Sequence, residues 1–181
     1  MFTTGNRSER QTTRSTTMGE LALASRRLGA LSLPRFQLRS STFADGGTLP
    51  TRSTVDGDGT PPPLAWELEP QPASFALVCE DPDAPRATPF VHWIVYGIPG
   101  HVQSLDSNLN DFCQGLNDRR QVGFAPAAPP PSDGLHRYVF QLFALDTELS
   151  LPAGRDYERL LAALVGHVIG WAELTGLYKR A

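Results

Sequence analysis

Carboxylates, imidazoles and prolines crowd into one short stretch of this 181-residue chain. Residues 79–92 read Cys-Glu-Asp-Pro-Asp-Ala-Pro-Arg-Ala-Thr-Pro-Phe-Val-His. Glu80, Asp81 and Asp83 alternate with Pro82, Pro85 and Pro89, and His92 stands two residues beyond Phe90. Proline fixes φ and lowers the entropy lost on ordering, so such a loop holds its acids without closing on a ligand. A second pair, His136 and Tyr138, is spaced by two. In an extended strand that spacing sets both side chains on one face. A carboxylate beside a histidine fixes its tautomer and raises its pKa. Two imidazoles and a phenol then offer directional hydrogen bonds to an anion. Anion binding is accordingly expected to tighten as the pH falls through about 6.5, the ordinary histidine value.

Asp81-Pro-Asp-Ala-Pro85 with His92-Trp93, then Gly134-Leu-His136-Arg-Tyr138 after a proline run, resembles the phosphatidylethanolamine-binding protein family in its bacterial Raf-kinase-inhibitor-like branch. The similarity runs from about Phe36 to Tyr178. It implies a Greek-key β-sandwich, mostly β, with a C-terminal helix. It also implies a small cavity at one end of the sheet that holds phosphate or a phospholipid headgroup. Asp81 or Asp83, His92, His136 and Tyr138 match its polar positions, and Pro85, Phe90 and Pro130 its apolar walls. Phe124 stands where the family usually has tyrosine, which removes one donor near the pocket. The resemblance further implies a cis Ala84–Pro85 bond, no cofactor and no metal. The partners it implies are a small anion or phospholipid headgroup and, as some members are inhibitors, a kinase or protease. A homodimer is left open.

Plainer readings of the same residues stay open. His92 alone could be a buried histidine satisfied by backbone, and Glu80–Asp83 a solvated loop whose aspartates cap turns. Two histidines and an aspartate could form a facial metal triad. No Gly-x-Ser-x-Gly elbow is present, and no motif sets a Ser or Cys beside His92 or His136. A small-molecule hydrolase is therefore the weakest functional reading, below a non-enzymatic binding protein and a protein-interaction inhibitor.

The elements that must position these groups are mostly short strands. Ser74–Cys79 and Phe90–Ile98 are apolar runs on either side of the acidic loop. His136–Leu145 is apolar on both faces, as in the middle of a packed sheet. Phe36–Phe43 and Trp171–Tyr178 alternate and read as strands, and Leu64-Ala-Trp66 as an anchor into the core. Tyr157, Leu160, Leu161, Leu164 and Val168 form one buried stripe of a helix over 156–168. Residues 103–122 read as a long irregular excursion, a kind of loop that is often functional.

Composition bounds the rest. The length suits one domain, placed at 34–181. Residues 1–33 are expected to be a disordered or weakly structured tail, with a targeting segment or a start at Met18 as alternatives. That tail and the next few residues carry seven arginines against two glutamates, while the whole chain is net −3. The body is therefore acidic, which argues against nucleic acid. No apolar run reaches the roughly 18 residues of a membrane helix. Two cysteines form no framework, so a reducing, cytoplasmic setting is expected.

Overall fold

A computed structural model describes residues 17–180 apart from 107, 108 and 110. Its centre is a six-stranded sheet in the order β2-β9-β8-β4-β5-β7. The three long antiparallel strands at its heart are β4 (Ser74–Asp81), β5 (Phe90–Pro99) and β8 (His136–Leu145). Beside β8 runs β9 (Val168–Tyr178), and short edges are made by β2 (Gly47–Thr48) and β7 (Cys113–Gln114). A three-stranded sheet of β1 (Gln37–Arg39), β3 (Leu64–Glu67) and β6 (Ser104–Leu105) covers one face.

Period-two alternation sorts the side chains of each long strand into two cores. Phe75, Leu77 and Cys79 of β4, Trp93 and Val95 of β5, and Tyr138, Phe140 and Leu142 of β8 meet Leu64 and Trp66 of β3. Ala76, Val78, Ile94, Tyr96, Phe143 and Leu145 face the other way. That second face is covered by α3 (Tyr157–Leu164), through Leu160, Leu161 and Leu164. The Asp156 side chain caps the helix by accepting from the Arg159 amide at 2.8 Å. The helix is shorter than its apolar stripe suggests. Gly166 takes a φ of 82°, the chain turns, and Val168 opens β9 instead of closing the helix.

Residues 17–33 correct the expected tail. Helices α1 (Met18–Leu21) and α2 (Ala24–Arg27) and a 3-10 turn at Ala30–Ser32 lie against the second face. Ala24 and Ala30 are fully buried there. The Ala24 amide donates to Glu80 Oε2, and the Ser25 amide to Gln141 Oε1, each at 2.8 Å. The tail reading for residues 1–16 lies outside the described residues. Two further expectations shift. The strand expected over 36–43 contracts to β1, and the cis peptide among the described residues is Glu69–Pro70, not Ala84–Pro85.

Candidate functional site

Asp81 ends β4, while Phe90 and His136 begin β5 and β8, so three antiparallel strands bring these residues to the same end of the sheet. Pairing between β4 and β5 passes from Cys79↔Trp93 to Glu80↔Val91, which leaves His92 as the unpaired residue of a bulge. Such bulges re-aim side chains beside functional sites. The His92 ring then stacks among aromatics, 4.7 Å from the Phe90 centroid and 5.0 Å from that of Tyr138.

Backbone and side chain together fix this histidine. Nδ1 donates to the Ala125 carbonyl at 2.7 Å, and the Ala125 amide donates back to the His92 carbonyl at 2.8 Å. A carbonyl only accepts, so Nδ1 carries the proton, and in the neutral ring Nε2 is an acceptor. Burial, joined by the charges of Arg119 and His136, pushes the ring down to about 4 against the pull of the Ala125 bond. His92 is therefore neutral across the range in which its protonation was expected to strengthen anion binding.

The carboxylate–imidazole pair involves the other histidine. His136 Nδ1 lies 2.7 Å from Asp81 Oδ2, with both side chains almost wholly buried. Asp81 Oδ1 accepts the Asp83 amide at 2.8 Å, which holds the carboxylate in the loop. Burial raises the Asp81 carboxyl above its ordinary range, opposed by the hydrogen bond and charge of His136. Burial likewise raises the Tyr138 phenol far enough to keep it a hydrogen-bonding hydroxyl.

These groups line a cavity of about 140 Å³ walled by Ala84, Pro85, Ala128, Pro129 and Pro130. Of the residues singled out in the sequence, Asp81, Pro85, Phe90, His92, Pro130, His136 and Tyr138 meet there. Two do not. Asp83 turns to Arg137, accepting from its backbone amide at 2.9 Å and from Nε and Nη2 at 2.8 Å. Burial lifts the Asp83 carboxyl, but these bonds outweigh it and hold the group below its ordinary range. Phe124 packs edge-on to Trp93, at 5.7 Å and 77°, in the sheet-to-sheet core. Arg119 also lines the cavity. Sequence reasoning missed it because it sits in the aperiodic excursion, where only its charge marks it.

Glu80 faces the opposite side from its neighbour Asp81. Its carboxylate is wholly buried and accepts from Ala24, Gln141 and Tyr157. It forms part of a second, larger cavity of about 590 Å³. The charges there are largely matched, with Arg27–Glu158 and Arg86–Asp118 each at 2.7 Å. The smaller cavity, where an acid, two imidazoles and a phenol converge on apolar walls, is the better candidate site. Among the described residues no three His, Cys, Asp or Glu side chains are grouped to hold a metal ion.

A family model described as phosphatidylethanolamine-binding protein matches residues 39–179, which include every residue lining this cavity. The chain belongs to the phosphatidylethanolamine-binding protein family. It is 42% identical over 151 residues to the UPF0098 protein of Methanothermobacter thermautotrophicus, covering 79% of this chain and 98% of that one. To the UPF0098 protein of Chlamydia trachomatis it is 39% identical over 150 residues, covering 80% and 99%. Among solved structures it resembles a putative phosphatidylethanolamine-binding protein homologue from Chlamydia trachomatis, with TM-score 0.76, 36% identity and coverage of 81% and 99%. It also resembles E. coli YbcL, a family member, with TM-score 0.72, 30% identity and the same coverage. The mostly-β, two-sheet architecture with a C-terminal helix matches these relatives. The packed segment 17–33 precedes the span that the family model matches. No described helix is long and apolar enough to cross a membrane.

Proposed function

We propose that this protein is a non-catalytic binding protein whose small cavity takes a phosphate group, free or as the phosphorylethanolamine headgroup of a lipid. The observation that carries this reading is the meeting of the Asp81–His136 pair with His92 and Tyr138 in one proline-walled cavity. Its 140 Å³ is well below the ~300–1,000 Å³ of sites for drug-sized ligands, so it suits a small group. Prolines exclude water without offering competing donors, which strengthens each polar contact inside. The natural setting is reducing and cytoplasmic, consistent with two free cysteines, of which Cys79 is buried. Calorimetric titration with inorganic phosphate and O-phosphorylethanolamine tests the reading. His136→Ala is expected to weaken both by at least tenfold, and unchanged binding in that variant would remove the site assignment.

A second reading, inhibition of a kinase or protease, draws on exposed apolar side chains. Leu135, next to His136, is 55% exposed and Val122, in the excursion, 58%. Pull-down with Val122→Ser and Leu135→Ser, two side chains outside the cavity lining, separates the two, because a protein partner would be lost while phosphate binding survived.

A further inference from the structure

We infer that Arg119 is the residue that makes the cavity an anion site, supplying the permanent positive charge on which a phosphate group anchors. This rests on the reading of the cavity as a phosphate site and names what sets its charge preference. Among the described residues Asp81 is the one carboxylate lining the cavity, and an entering anion meets its field. The histidines do not answer that field by themselves. His92 commits Nδ1–H to Ala125 and is neutral, while His136 commits Nδ1 to Asp81 itself. Tyr138 brings a hydroxyl but no charge. Among the described residues Arg119 is the one guanidinium in the lining, and a guanidinium is protonated at every physiological pH.

Its placement is built rather than loose. Asn117 is buried, and its Oδ1 accepts the Arg119 and Gln121 amides at 2.9 and 3.2 Å while Nδ2 donates to the Gly123 carbonyl at 2.9 Å. Arg120 then takes a φ of 63°, a left-handed conformation that non-glycine residues rarely adopt. Across this tight turn consecutive arginines serve different cavities, Arg119 the small one and Arg120 the large one. The Arg119 head group itself is hardly engaged. Its one hydrogen bond among the described residues, Nη2 to the Pro126 carbonyl, is 3.5 Å long, beyond the usual 2.7–3.2 Å range. The planar fork is left free to grip two unesterified phosphate oxygens, which free phosphate, a phosphomonoester and a phospholipid headgroup all present. Its positive charge is also among the influences that hold His92 neutral, so it is felt across the cavity.

Calorimetry on the full chain and on Arg119→Gln, Arg119→Lys and His136→Ala tests this. The ligands are inorganic phosphate, O-phosphorylethanolamine and ethanolamine, with co-sedimentation on phosphatidylethanolamine-containing vesicles to separate free phosphate from headgroup as the source. Arg119→Gln is expected to weaken phosphate and O-phosphorylethanolamine tenfold or more, with an unchanged unfolding midpoint because the side chain is exposed. Arg119→Lys should recover most of the loss. Ethanolamine, a cation, should bind more tightly to Arg119→Gln than to the parent, because Asp81 is then unopposed. If His136→Ala loses phosphate while Arg119→Gln binds like the parent, this inference falls and the phosphate site stands. If the parent binds neither anion, both fall.

Discussion

His136 Nδ1 lies 2.7 Å from Asp81 Oδ2, while Glu80, one residue earlier, sends its carboxylate through the sheet to the Ala24 amide. Adjacent acids on one strand thus do separate work. One orients a ring in the candidate site, and the other fastens the N-terminal segment to the opposite face.

Removing the first acid tests the site. Asp81→Ala strands a buried imidazole nitrogen, at a cost of about 1–3 kcal/mol in urea unfolding, and should weaken phosphate at least tenfold. Asp81→Asn keeps an acceptor oxygen and should retain most of the stability. A parent-like midpoint and affinity in Asp81→Ala would show that the pair orients nothing.

Two neighbours of the site should leave binding alone. Asp83→Ala breaks the Arg137 contacts, which are partly open to solvent, and is expected to cost about 1 kcal/mol with phosphate affinity within about twofold of the parent. Phe124→Tyr should likewise change affinity little, because the ring packs on Trp93 and not on the cavity. A tenfold change in either would bring that residue back into the site.

His92 sets a pH dependence of stability. Its folded value of about 4 lies below the ordinary 6.5, so above pH 6.5 both folded and unfolded chains leave it neutral. As the pH falls the unfolded chain takes up a proton that the folded chain refuses, and stability is lost down to pH 4. At 1.36 kcal/mol per pH unit the loss is about 3 kcal/mol. Glu80, raised by burial, acts in the opposite sense, since its contribution is present below the ordinary carboxylate range and lost as pH rises. Urea unfolding between pH 7 and 4 for parent and His92→Phe isolates the histidine. The variant should fall less steeply by that amount, and parallel curves would refute the assignment.

The N-terminal segment should behave as part of the domain. Deleting residues 1–33 removes the buried Ala24 and Ala30 and leaves Glu80 and Gln141 each without a backbone donor. The expected loss is at least about 3 kcal/mol. Glu80→Ala combined with the deletion should cost less than the sum, because the two share the Ala24 hydrogen bond. An unfolding midpoint unmoved by the deletion would return these residues to the status of a tail.

Local chemistry in the sequence determined the long strands and the motif residues. Period-two and all-apolar runs mark β4, β5 and β8, and the Asp-Pro-Asp-Ala-Pro, His-Trp and Gly-x-His-Arg-Tyr segments mark most of the cavity lining. Alternation alone sets Glu80 and Asp81 on opposite faces of any strand they share. Tertiary structure decided what each face meets. Arg137 claims Asp83 and Trp93 claims Phe124, because register across β4 and β8 and the packing between sheets are pairings of residues far apart in the chain. The bulge at His92 and the turn that brings Arg119 to the cavity leave no periodic trace, since each is set by hydrogen bonds to distant backbone or to one buried asparagine. The N-terminal segment looks like a tail until Glu80 and Gln141 are seen to take up its amides. Burial likewise set the His92 proton affinity, which depends on what surrounds the ring rather than on its neighbours in sequence.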